Sequence, residues 1–152
     1  MAVTTSGLFV ATWLDTLDAT QLAVAPLADT IKIALFTDTI TPDFTASGDT
    51  AYNVSPYDAN EVSGTGWSAG GVALGTKTVA SPSGDLIAFD AADVNEATTT
   101  LTNAECGLIY DDTLGGDNAL CLVDFGTAYS TVAASFQITW GTYIFAFNLA
   151  LA

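Results

Sequence analysis

The stretch from Leu101 to Phe125, LTNAECGLIYDDTLGGDNALCLVDF, constrains the fold more than any other part of the sequence. Two apolar runs, Cys106–Tyr110 and Ala119–Phe125, flank a polar, Gly-rich insert, which is the pattern of an antiparallel hairpin. In the first run apolar side chains alternate on both faces, as they do in a strand buried in the middle of a sheet. The sequence therefore predicts sheets built around a central hairpin.

Further short apolar runs lie on either side of this hairpin. Ile31–Thr37 and Ser135–Trp140 alternate with period two, which predicts strands. The other predicted strands are Val72–Ala80 after the Gly-rich entry Asn60–Gly75, then Leu86–Phe89 and Tyr143–Leu149, while Thr98–Thr102 leads into the hairpin. The predicted fold is mainly β, an antiparallel β-sandwich or barrel-like fold of about eight short strands.

The predicted connections are less regular. Gly7–Leu17 has Phe9, Trp13 and Leu17 at four-residue spacing, which predicts one short amphipathic helix. Residues 1–29 form either an N-terminal helical arm or part of the core. The other predicted connections are the long loop Asp38–Asn60, pinned by its aromatic side chains, the acidic connector Asp90–Ala97 and the connector Gly126–Val132. No linker divides the chain, so residues 1–152 are expected to form a single β-rich domain.

Composition limits the partners of this chain. It has 17 Asp and Glu residues against only Lys32 and Lys77, with no Arg or His, and a net charge of -15. We therefore expect no nucleic-acid partner and no anionic membrane surface as a partner, because both require a cationic face. Neither end of the chain has the pattern of a secretory signal or a membrane span. Since 50% of the residues are hydrophobic, the chain is expected to fold, and neighbouring subunits are expected to cover part of the apolar surplus.

Three patterns suggest binding sites, and each has a simpler explanation. Gly70 and Gly75 have the spacing of a phosphate-binding loop, but Thr76 stands where a lysine is required, so a structural glycine turn is favoured. Two acidic loops carry oxygen ligands of the kind that calcium prefers: Asp111, Asp112, Asp117 and Asn118 in one, and Asp90, Asp93 and Glu96 in the other. Neither loop has the alternating frame of a calcium site, so solvated turns are favoured. The rings of Trp13, Trp67 and Trp140 are expected in the core or in subunit contacts rather than as ligand platforms.

The sequence indicates no enzyme. Nucleophilic catalysis needs a base, and the chain has no His. Composition leaves a carboxylate pair for glycoside hydrolysis open, but Glu105 is explained more simply as a solvated edge charge. A two-residue turn at Gly115-Gly116 would place Tyr110 opposite Cys121 and Cys106 opposite Phe125, which predicts buried free thiols. We predict no catalytic, cofactor-binding or metal-binding residues.

Three segments between Thr30 and Trp140, IKIALFT, NEVSGTGWSAGG and LIYDDTLGGDNAL, resemble small virion structural proteins of tailed bacteriophages. The resemblance implies a head decoration or minor capsid protein without catalytic activity or cofactor. Its implied partners are the major capsid protein and copies of itself, as a trimer or another small oligomer on the outer surface of the head. The hydrophobic tail Tyr143–Ala152 departs from the pattern. Two alternatives stay open: a phage tail, tail-tip or adhesin component, and a calcium- or carbohydrate-binding β-module.

Overall fold

The computed structural model describes residues 3–18, 24–45, 47 and 51–149. The secondary structure of these residues is mainly β, as predicted, with one short N-terminal helix. The helix is α1 (Val10–Asp18), and the strands are β1 (Gly7–Leu8), β2 (Ile31–Phe36), β3 (Glu61–Val62), β4 (Val72–Ala73), β5 (Thr78–Ala80), β6 (Leu86–Asp90), β7 (Val94–Asp111), β8 (Asn118–Ile138) and β9 (Phe145–Asn148).

The strands form two antiparallel sheets. The main sheet has the order β1-β8-β7-β2-β3, and β4 also pairs with β2. The smaller sheet has the order β5-β6-β9. β2 pairs along its whole length with the first arm of the hairpin, from Ile31 opposite Asp111 to Phe36 opposite Cys106. The predicted hairpin therefore lies at the centre of the main sheet, with a strand paired to each side of its first arm.

Around β2 and the adjoining end of β7 both faces of the main sheet are buried, which explains the apolar side chains at consecutive positions there. On one face Ile33 and Ile109 belong to a core cluster that includes Phe89 and Phe145 of the smaller sheet. On the other face the core contains aromatic residues of the loop after β2. Two ring pairs hold this loop: Phe36 lies 5.3 Å from Tyr57, and Tyr52 stacks on Tyr110 at 4.6 Å, both between ring centroids. The prediction that its aromatic side chains pin the loop Asp38–Asn60 is confirmed for the residues that the structure describes.

The two hairpin strands are much longer than predicted. β7 has 18 residues and β8 has 21, so neither the acidic connector predicted at Asp90–Ala97 nor the connector predicted at Gly126–Val132 exists as such. The ladder between them contains five register shifts, and Thr98, Asn103, Gly126 and Ala133 have left-handed φ values near them. Each bulge shifts the alternation of side chains while the pairing continues. The period-two pattern is thereby interrupted, which is why the sequence suggested separate short strands.

The predicted hairpin register is also wrong. Cys121 lies opposite Ile109, and Cys106 lies opposite Asp124. The strands are joined by a longer loop, residues 112–117, rather than by a two-residue turn, and a register shift between Ile109 and Tyr110 adds to the difference. Both cysteines are nevertheless buried free thiols, as predicted.

The predicted strand Val72–Ala80 is two strands in different sheets. β4 pairs with β2 in the main sheet, and β5 pairs with β6 in the smaller one. Between them Thr76 adopts a left-handed φ of 47°, which lets the chain turn from one sheet to the other.

The helix begins later than predicted and buries a different face. Phe9 is fully buried just before α1, and the Trp13 Nε1 donates a 3.0 Å hydrogen bond to the Leu120 carbonyl of β8, so residues 3–18 pack onto the main sheet. Leu17, predicted to share the buried face, is 81% exposed.

The predictions for residues 1–29 and for the tail Tyr143–Ala152 fall partly outside the described residues, which exclude 1–2, 19–23 and 150–152. No helix within the described ranges is long and apolar enough to cross a membrane.

Candidate functional site

The second half of β8 is the most exposed part of the main sheet. Every side chain from Gly126 to Ser135 is exposed except Thr131, which is half-buried. β1 pairs with β8 only at Cys121 and Leu122. From Phe125 to Ile138, no strand among the described residues pairs with the outer edge of β8. That edge therefore presents backbone groups to the surroundings.

The bulges bend this part of β8 around a hollow of about 490 Å³. All ten lining residues come from the segment 125–139, and all are uncharged. Phe125 and Phe136 lie 6.4 Å apart between ring centroids, and Phe136 packs edge-on against the buried Trp67 at 5.5 Å. Tyr129, which is 49% exposed, lies 6.4 Å from Phe125. The hollow thus combines aromatic side chains with neutral polar ones: Ser130, Thr131, Ser135, Gln137 and Thr139.

A buried threonine fixes the shape of the hollow. The Thr99 hydroxyl, which is 0% exposed, donates to the Ala134 carbonyl at 2.8 Å and lies 2.7 Å from the Thr131 hydroxyl. The Thr131 hydroxyl in turn accepts a hydrogen bond from the Leu101 N–H at 3.1 Å. These bonds cross from β7 to β8 at the point where the ladder is irregular, so the exposed strand is held in a defined path.

Charge is distributed very unevenly along the chain. All 17 acidic residues and both lysines precede Phe125, and no charged side chain follows it. The hollow and the open edge of β8 are therefore formed by uncharged residues in a protein whose net charge is -15, although Glu96 of the neighbouring β7 lies opposite Phe136. An uncharged, partly apolar surface of this kind on an acidic body is typical of a contact surface.

A second apolar surface lies on α1. Val10, Leu14 and Leu17 are 42%, 49% and 81% exposed, and together with Trp13 and Phe147 they line a shallow groove. A neighbouring groove, which shares Trp13 and Phe147, is lined by apolar side chains of the smaller sheet and by Pro26.

In the two acidic loops, where solvated turns were favoured over calcium sites, several carboxylates have protein partners. Asp112 forms a 2.8 Å ion pair with Lys32, whereas the Asp111 Oδ1 accepts hydrogen bonds from the backbone N–H groups of its own loop. In the other loop the Asp93 Oδ1 accepts a 3.0 Å hydrogen bond from the Trp140 N–H. The described part of the chain contains no group of three or more His, Cys, Asp or Glu side chains placed to hold a metal ion.

Sequence reasoning missed one pair of carboxyl groups. Asp111 is fully buried, its Oδ2 has no hydrogen-bond donor, and the side chain of Asp29 interacts with it. Burial, together with the neighbouring Asp29 carboxyl, raises the pKa of Asp111 to about 6, although the Thr113 N–H partly offsets this effect. The two residues are 82 positions apart, and only the pairing of β2 with β7 brings them together. No local pattern signals such a pair.

The Gly-rich segment is structural. Gly71 has a φ of 72°, and a Cβ at this position would overlap the Ile33 carbonyl of β2. The Glu61 carboxylate accepts hydrogen bonds from the Gly70 N–H at 2.7 Å and from the Tyr52 hydroxyl at 2.8 Å. The backbone of this segment therefore approaches β2 closely, and the Glu61 carboxylate ties two loops together.

The tryptophans have different environments. Trp67 is 1% exposed and lies in the core, as expected. Trp13 and Trp140 are half-buried, and each ring N–H donates a 3.0 Å hydrogen bond to a backbone carbonyl.

No protein-family model, no curated protein and no solved structure matches this chain. The exposed half of β8 is the feature on which we base a functional interpretation.

Proposed function

We propose that this chain is a non-enzymatic structural protein of a tailed-phage virion, a capsid decoration or minor capsid protein. In this proposal it binds the major capsid protein and copies of itself on the outer surface of the head. The observation that carries the proposal is the neutral, exposed half of β8 on an otherwise acidic β-rich body. A surface of this composition is suited to being covered by protein.

The resemblance to virion proteins adds support, because its three segments are neighbours in space. Segment IKIALFT contains β2, and LIYDDTLGGDNAL contains the end of β7 that pairs with it. Segment NEVSGTGWSAGG contains β3, which also pairs with β2, and Gly71, which packs against the Ile33 carbonyl. The resemblance therefore concerns the centre of the main sheet rather than scattered surface positions.

The acidic remainder of the surface fits the same role. A protein on the outside of a particle packed with nucleic acid has no need of cationic groups. A strongly negative exterior also keeps particles apart in suspension. The acidic side chains would then keep particles apart, and the neutral second half of β8 would bind neighbouring subunits.

The test is quantitative mass spectrometry of gradient-purified virions. We expect this chain at a copy number close to that of the major capsid protein or a simple fraction of it. An abundant host protein measured in the same gradient fractions controls for carry-over. If the chain is absent from virions, or is present only at the level of the host control, the proposal is discarded.

A second candidate is a tail-tip or adhesin component that binds a neutral glycan. It is favoured by the hollow itself, where the half-exposed ring of Tyr129 lies beside neutral hydroxyl and amide groups, a combination suited to sugars. A copy number of a few per particle, with label at one vertex or along the tail, would support this candidate. Titration with host-surface glycans, read out by the chemical shifts of the Gln137 amide, should then show saturable binding.

A further inference from the structure

We propose that the β8 surface, defined as the hollow and the open strand edge from Phe125 to Thr139, is where a second copy of this chain binds. The inference rests on the proposed function for its setting and deepens it, because it names the surface through which copies meet.

The chemistry of the β8 surface restricts its occupant. Its ten lining residues carry no charge, and of its aromatic residues Phe125 is half-buried and Tyr129 is exposed. A charged group that entered the hollow would lose hydration and find no opposite charge there. The occupant must therefore present neutral, partly apolar side chains.

Charge restricts where two copies of the chain can meet. Two copies, each with a net charge of -15, repel one another wherever acidic faces meet. At the β8 surface, neutral residues of one copy would meet neutral residues of the other, which minimises contact between acidic groups. An exposed, uncharged strand edge is also a natural site for another chain to pair with, and this edge carries no lysine or proline to prevent it.

The second copy also supplies a side chain that fits the hollow. Val132 is 83% exposed, is not among the residues that line the hollow, and stands on the same strand. An aliphatic side chain so exposed gains most from being covered. If Val132 of one copy enters the hollow of the next and the reverse contact is absent, the interface is head-to-tail. It then gives the small oligomer that the resemblance implies when the rotation between copies closes into a ring.

The experiment compares the wild-type chain with two charged variants by sedimentation velocity over about a hundredfold range of concentration. Val132→Asp alters the inserted side chain, and Ala134→Glu places a charge in the hollow. Each variant is expected to weaken association at least about tenfold, because a buried charge without a partner is costly. Unchanged unfolding midpoints would show that both variants still fold.

Two matched controls locate the effect. Val54→Asp makes the same change at a 51% exposed valine outside the β8 surface, and it should associate like the wild type. Leu17→Asp introduces the charge on the second apolar surface, at an 81% exposed position, and should also leave association intact. If Leu17→Asp dissociates the assembly and Val132→Asp does not, the interface lies on α1 and the proposal is wrong.

Mixing the two variants tests the head-to-tail geometry. Val132→Asp retains an intact hollow and Ala134→Glu retains an intact Val132, so one productive contact can form between them. The mixture is expected to give dimers but no closed ring. A mixture that stays monomeric, or a wild-type chain that is monomeric at every concentration, overturns the proposal.

The two proposals fail separately. If the chain is abundant in virions but the Val132→Asp variant still forms the ring, the interface is wrong and the virion role stands. If the ring dissociates as expected but the chain is absent from virions, the interface stands and the virion role is discarded.

Discussion

Replacement of Asp111 by Asn should stabilise the protein at neutral pH, because this carboxylate is buried beside a second carboxyl group. Its Oδ1 accepts hydrogen bonds from the N–H groups of Thr113 at 2.9 Å and Leu114 at 3.3 Å, whereas its buried Oδ2 has no donor and faces Asp29. An asparagine keeps an oxygen for the two backbone donors. It also offers an N–H group to the Asp29 carboxyl.

The magnitude follows from the raised pKa of Asp111. Burial, with Asp29 beside it, raises this pKa from 3.8 to about 6. The folded state therefore holds its proton more tightly, so the stabilisation is fully present below about pH 4 and is lost as the pH rises toward about 6. The shift corresponds to at most ~3 kcal/mol, and we expect ~1–2 kcal/mol because Asp29 is only half-buried and stays partly hydrated. At about pH 7.5 Asp111→Asn should raise the unfolding midpoint by about 2–6 °C.

The measurement is thermal unfolding of both proteins at about pH 4.5, 6 and 7.5, followed by tryptophan fluorescence. The advantage of Asp111→Asn should be largest at the highest pH and should fall to about a third of that value at the lowest. Asp112→Asn is the matched control, because it removes the same charge at the next residue. The Asp112 carboxylate is half-buried and pairs with Lys32, so its replacement should change the free energy of unfolding by less than ~1 kcal/mol. A lower midpoint for Asp111→Asn at about pH 7.5, or a pH-independent advantage, would refute the reasoning.

Three further predictions follow from the same structure. Gly71→Ala should lower the free energy of unfolding, measured by chemical denaturation, by at least ~2 kcal/mol, because Gly71 has a φ of 72° and the added methyl group overlaps the Ile33 carbonyl. Gly84 has open space around it, so Gly84→Ala should change the free energy of unfolding by no more than ~0.5 kcal/mol. Burial raises the pKa of Cys106 to about 12 and also raises that of Cys121. At about pH 8 a thiol reagent should therefore label neither cysteine in the native protein and both cysteines in denaturant, and rapid labelling of the native protein would contradict their burial. Association through the β8 surface should strengthen when salt is raised from about 20 to 500 mM, because salt screens the acidic bodies and the contact is neutral; sedimentation that shows weakening would indicate an ionic contact instead.

The sequence predicted the centre of the fold because local pattern and tertiary position agree there. β2 and the adjoining part of β7 are apolar on both faces, and each face is covered, by the smaller sheet on one side and by the loop 37–60 on the other. The outer half of the hairpin was predicted only in part: Ser135–Trp140 was predicted as a separate strand, whereas it largely continues β8. The bulges at Thr98, Asn103, Gly126 and Ala133 interrupt the alternation on which strand prediction depends.

The candidate surfaces were predicted only in general terms. An excess of apolar residues indicated that some would lie in subunit contacts, but it did not locate them. Exposure of Val132 and Tyr129 depends on the curvature of β8, which bulges set, and burial of Trp67 depends on contacts across the sheet. The Asp29 and Asp111 pair depends on strand pairing between distant segments, so no spacing in the sequence could reveal it.

Cryo-electron microscopy of purified phage particles, at a resolution that traces the chain, would show where this protein lies and how its copies meet. We expect density for this β-rich fold on the outer surface of the head, with neighbouring copies in contact through β8 between Phe125 and Thr139. Heads that lack this density, or copies that leave the β8 surface open to solvent, would contradict this expectation.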